Sequence, residues 1–165
     1  MAFKIRRVGH LVLRVKDVER SRRFFTEVLG FPQVGQNDRG MLFFSTDVAD
    51  NHHMLAIRQA KEGSGMPDPE RVGMEHVSFE LGGFAELQDA YRQFKEHGVI
   101  IHHTVYHGVA KSIYFLDPDG NMLEVYCNVP PEEYRKSAPN PYFRYGSIED
   151  ELDGKVPQRP GTVAP

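Results

Sequence analysis

Apolar and polar residues alternate through GHLVLRV, residues 9–15, and give way to helical spacing in ERSRRFFTEV, residues 19–28. Alternation of period two marks a strand with one buried face, here Leu11, Leu13 and Val15, while His10, Val12 and Arg14 share the other. Phe24, Phe25 and Val28 lie on one face of the helix, and Gly30 stands where it stops. The same order recurs at EHVSFEL, where Val77, Phe79 and Leu81 are the apolar set and His76, Ser78 and Glu80 face away. Leu87, Ala90, Tyr91 and Phe94 then follow i, i+3, i+4, i+7, and Gly98 takes the stop position. After each helix come strand-forming segments joined by turn residues, MLFFSTDVADNHHMLAI in the first half and KSIYFLDPDGNMLEVYC in the second. The chain reads as an internal duplication of β-α-β-β-β, with repeat one over about 5–60 and repeat two over about 72–127.

This pattern predicts an α+β fold, a single domain over residues 1–127 built from the paired modules. KEGSGMPDPERVG between them is rich in Gly, Pro and charge and reads as an exposed connection. From residue 128 to 165 prolines accumulate and periodicity fades, which predicts an extended tail. Its cluster Pro141, Tyr142, Phe143 and Tyr145 either docks on the body or a neighbouring subunit, or stays solvated.

Composition changes this picture little. A chain of 165 residues that is 40% apolar can bury one sizeable core. A formal charge of -3 offers no basic stripe for phosphates, so nucleic acid is not an expected partner. The apolar stretch near the start is short and broken by Arg14, unlike a signal peptide or membrane span. A cytoplasmic protein is expected. The single cysteine, Cys127, cannot form an internal disulfide and reads as strand packing.

The chemistry lies in where the histidines fall. His10 and His76 open the first strands of the two repeats, so a duplicated fold places them in equivalent positions facing a shared concavity. Glu124 is the one carboxylate inside the apolar run MLEVY, where a charge needs a partner, a ligated cation or water. Two imidazoles and one carboxylate leave positions open on one side of an octahedral ion, the facial triad of non-haem Fe(II) oxygenases. Fe(II) is the expected ion, with Mn(II) as the alternative for the same donors.

In HGVAKSIYFLDPDGNMLEVYC a His-Gly, an Ile-Tyr-Phe strand, a DPDGN turn and Glu124 follow one another in order. Over residues 8–127 the chain resembles the vicinal oxygen chelate superfamily of glyoxalases, bleomycin-resistance proteins and extradiol dioxygenases. Within it the chain is most similar to type I extradiol ring-cleavage dioxygenases, in a one-domain form. The resemblance implies paired βαβββ modules around a metal-centred open barrel or cup, with His10, His76 and Glu124 as ligands. It implies a catechol and O2 as substrates, a homo-oligomer, and opening of the ring beside the diol. Tyr114, ten residues before Glu124, takes the place of a phenol that hydrogen-bonds the substrate, and His53 of the pair His52–His53 that of an acid/base histidine. His107 resembles a further active-site histidine, although its seven-residue distance to Tyr114 is short for the family. His97, His102 and His103 read as solvated, and Phe44, Met54, Met122 and Tyr142 as candidates for the pocket wall. The competing readings are a glyoxalase-type isomerase, a fosfomycin-resistance-type thiol transferase and a non-enzymatic binding protein. The isomerase needs a second carboxylate that NHHMLAI lacks, and the binder has no use for three ligands.

Overall fold

The computed structural model describes residues 3–137 and 146–156. In the first half, β1 (Leu11–Val15) buries Leu13 and Val15 and exposes Val12, as period two requires. Asp17 caps α1 (Val18–Arg23) by accepting the Arg20 amide, 2.9 Å away. The helix then widens into a π-turn over Phe24–Val28, in which the Leu29 amide reaches back to the Phe24 carbonyl. Both Phe24 and Phe25 are buried, their rings edge to face at 5.4 Å. Gly30 follows with φ +69°, ending the helix as the sequence suggested. β2 (Gln33–Gln36), β3 (Leu42–Phe44) and β4 (Leu55–Gln59) complete a sheet ordered β1-β4-β3-β2, with β4 parallel to β1 and antiparallel to β3.

The second half repeats this topology. β5 (Val77–Leu81), α2 (Phe84–Glu96), β6 (Ile101–Tyr106), β7 (Ala110–Leu116) and β8 (Met122–Asn128) give a sheet ordered β5-β8-β7-β6, with β5 and β8 parallel. Leu87, Tyr91 and Phe94 of α2 are buried, and Phe94 lies against Phe115 with ring centroids 4.4 Å apart. Gly98 ends the helix at φ +65°. The DPDGN turn between β7 and β8 is closed by Asp117, whose carboxylate accepts the amides of Asp119 and Asn121 and the Asn121 side chain. Burial raises the Asp117 carboxyl above its ordinary value. The fold is thus α+β, with two four-stranded mixed sheets, and the backbone clusters into two compact units, with the chain dividing between Met66 and Pro67.

The expectation of an extended tail from residue 128 fails where the chain is described. Pro131–Ser137 form α3 and Glu149–Leu152 form α4, which rests against α2 with Ile148 and Leu152 buried. Glu151 is 2% exposed and meets the Nζ of Lys111, 1% exposed, at 2.6 Å. Lys111 also stands 4.7 Å from the centre of the Phe84 ring. Thr104 Oγ1 lies 2.8 Å from Ser147 Oγ, and the Tyr106 amide donates to the Gly146 carbonyl, so this segment extends the second unit beyond β6. The cluster Pro141, Tyr142, Phe143 and Tyr145 lies outside the described residues. Among those described, no helix is long and apolar enough to cross a membrane.

Candidate metal and catalytic site

Strand register in the second unit lines four polar side chains across one face of the sheet. Ser78 pairs with Glu124, Glu124 with Tyr114, and Tyr114 with His103, one residue from each strand. The opposite face carries Leu123, Phe115 and Val125 into the core under α2. His76 immediately precedes β5, and its Nε2 lies 3.3 Å from Oε2 of Glu124. That oxygen also accepts the Ser78 hydroxyl. Glu124 is 6% exposed, and no lysine or arginine among the described residues pairs with it. A buried carboxylate with only a hydroxyl and an imidazole beside it needs positive charge. Donors bound to one octahedral ion at adjacent corners, each about 2.1 Å from it, are about 3.0 Å apart, so His76 and Glu124 fit a divalent cation.

Tyr114 stands next to this pair and is 9% exposed. Its ring meets that of His76 edge to face at 5.2 Å, and its hydroxyl lies 3.3 Å from Nε2 of His107. His107 sits in the β6–β7 turn with its amide on the Ala110 carbonyl, so the hairpin folds the seven intervening residues back and brings the two side chains together. His102 is exposed as expected, but His103 is not simply solvated. Both belong to β6, and His103 stacks on Tyr114 with centroids 4.3 Å apart and planes 8° from parallel. His97, at the C-terminal cap of α2, is exposed as expected.

His10 and His53 come together in the first unit, with ring centroids 4.4 Å apart. Asn51 makes the connection: its side chain donates to the Gly9 carbonyl at 2.7 Å and accepts the His53 amide, while the Leu11 amide reaches the Met54 carbonyl. Arg7 and Asp50 add an exposed ion pair at 2.7 Å, worth little by itself. Partial burial holds the His53 imidazole below its ordinary value, helped by its neighbours His10 and His52. Of the two adjacent histidines, His52 is exposed and His53 half-buried. They precede β4, where period two does not apply, and their Nδ1 atoms are in contact. Phe44, read as a pocket wall, is instead fully buried against Phe25, whereas Phe43 packs edge to face with His53. Met54 and Met122 are half-buried, and Tyr142 lies outside the described residues. His76 and Glu124 therefore meet within the second unit, while His10 and His53 belong to the first. Neither unit by itself gathers three His, Cys, Asp or Glu side chains among the described residues that could hold a metal. Nothing in the sequence marked Asn51 or gave Ser78 and His103 a place in the site, although the alternation of EHVSFEL had already put Ser78 on the face of His76.

Comparison with known proteins agrees with this topology. The family model described as "Glyoxalase/Bleomycin resistance protein/Dioxygenase superfamily" matches residues 7–125. A biphenyl-2,3-diol 1,2-dioxygenase from Rhodococcus globerulus is 35% identical over 121 residues, 72% of this chain and 62% of that protein. A catechol-2,3-dioxygenase from Bacillus subtilis is 31% identical over 137 residues, 82% of this chain and 46% of its own length. The chain thus spans about half to three-fifths of the length of these curated relatives. Among solved structures, the fosfomycin resistance protein FosX from Listeria monocytogenes superposes with a TM-score of 0.59 at 20% identity, covering 79% of this chain and 99% of that one. At that identity the likeness concerns the fold alone. With the duplicated topology and a family match running from before His10 through Glu124, the chain belongs to the glyoxalase/bleomycin resistance protein/dioxygenase superfamily.

Proposed function

We propose that this protein is an extradiol dioxygenase that opens a catecholic ring with O2 at a non-haem ferrous ion held by His10, His76 and Glu124. The observation that carries this reading is Tyr114, a phenol registered beside Glu124, edge-on to His76 and within hydrogen-bond reach of His107. The similarity to proteins named biphenyl-2,3-diol and catechol dioxygenases supports it. A ferrous ion held by these two imidazoles and one carboxylate would bring the catechol and O2 into contact and stabilise the charge that develops. Mn(II) suits the same donors.

The protein's own groups manage protons and orientation. The Tyr114 hydroxyl donates to a catechol oxygen and steadies its ionised form, with the His107 imidazole as its other hydrogen-bond partner. His53, whose pKa is lowered, stays neutral near pH 7 and can accept a proton before returning it to the product. Ser78, bonded to Glu124, fixes the carboxylate's rotation. The bond that breaks lies beside the diol, and both atoms of O2 end in the product, a hydroxymuconate-semialdehyde type of compound. No external reductant is needed.

The test is a panel of monocyclic and bicyclic catechols added under air to protein loaded anaerobically with Fe(II). A yellow ring-fission product and one iron per chain are expected. Stoichiometric metal with no product from any catechol, but turnover of an epoxide with a thiol, would move the assignment to the transferase branch.

A further inference from the structure

We propose that His103 is a positioning residue that holds the Tyr114 phenol in its working orientation; the kinetic side of this inference rests on the function proposed above. Register brings the two together. Between Ile101 and His103 the β6–β7 ladder slips by one residue, a bulge that opposes His103 rather than His102 to Tyr114. Bulges re-aim side chains in this way beside functional sites. The imidazole then lies flat on the phenol, 4.3 Å away and 8° from parallel, with His102 Nδ1 at 2.7 Å from His103 Nδ1 restraining its rotation.

The phenol is held from three directions. His103 covers one ring face, His76 meets the ring edge to face, and His107 takes the hydroxyl. A phenol free to turn about its first side-chain torsion swings its hydroxyl by several ångströms, and misplacement of about 1 Å can cost about a hundredfold in rate. The first half argues that the fold alone does not require the stack. Its β2–β3 ladder slips at the same place, between Gln33 and Gly35, and there Gly35 stands opposite Phe43. The bulge belongs to both halves, but only one of them fills it with an aromatic ring.

The experiment combines His103→Ala, His103→Leu and His103→Phe with the parent and with Tyr114→Phe. In iron-loaded protein, the Ala and Leu variants are expected to lose about tenfold in kcat with KM changed less than about twofold, and Phe to restore most of the loss. In the Tyr114→Phe background, which has no hydroxyl to present, the same substitutions should cost less than about twofold. The share of the near-UV circular dichroism due to Tyr114, the difference between parent and Tyr114→Phe, should vanish with Ala or Leu and return with Phe. Parental kcat and an unchanged Tyr114 signal in the Leu variant overturn the proposal, as does an equal kinetic loss in both backgrounds. If no catechol is opened by any variant, the proposed activity fails and the circular dichroism alone decides the placement of Tyr114 by His103.

Discussion

The two halves share one topology and differ across one row of residues. In the second half that row reads Ser78, Glu124, Tyr114 and His103. The equivalent row of the first, fixed by the same pairings, reads Val12, Ala56, Phe43 and Gly35. Carboxylate is replaced by methyl, phenol by phenyl, and imidazole by hydrogen. A duplicated fold therefore carries its chemistry asymmetrically: one sheet keeps a polar row for the proposed centre, and the other keeps no such row but carries His10 before its first strand and His53 before β4. The same register explains why a glyoxalase-type fourth carboxylate is missing, since Ala56 holds the position symmetric to Glu124.

Changes that make one half resemble the other sharpen this contrast. The largest effect is expected from Glu124→Ala, which copies Ala56 into the second half; iron retained after desalting should fall to background and ring-fission activity should disappear with it. Next comes Lys111→Met, which removes the ammonium paired with the buried Glu151 carboxylate and should lower the stability of the second unit by about 3–5 kcal/mol in urea titrations. The double variant Lys111→Met with Glu151→Leu should recover most of that loss. Tyr114→Phe copies Phe43 and should reduce kcat by about a hundredfold with iron content unchanged. The smallest effect concerns Asp117. Burial keeps its carboxyl protonated to higher pH in the folded chain than in the unfolded one, where such groups titrate near about 4. The unfolded chain releases its proton first, so stability should fall as pH rises from about 4 through the raised value, and Asp117→Asn should flatten that slope.

Much of this contrast was legible in the sequence. Period two placed His10 and His76 before equivalent strands, and a carboxylate inside MLEVY could not be ignored. The DPDGN turn declared itself through Asp117, Asn121 and Gly120, the last at φ +80°. What failed did so for identifiable reasons. The bulge in β6 breaks the alternation of IIHHTVY, so His103 read as solvated although it faces Tyr114. In α4 the acidic run EDEL resembled a solvated tail, because nothing near it in sequence announces Lys111, forty residues away, as the partner of Glu151.

That last pair bears on what counts as the smallest foldable piece of this chain. The segment matched to the family ends at residue 125, but the hydrophobic interior of the second half does not. A chain trimmed to the matched segment would lose Ile148 and Leu152 together with the Glu151 carboxylate that meets the buried Lys111 ammonium beside Phe84 and Tyr106. Removing the carboxylate from a buried ion pair is costly, so the trimmed chain should be less stable than the full one. The boundary of the family match and the boundary of cooperative folding are therefore different places on this chain, separated by at least the length of the segment that brings Glu151 home.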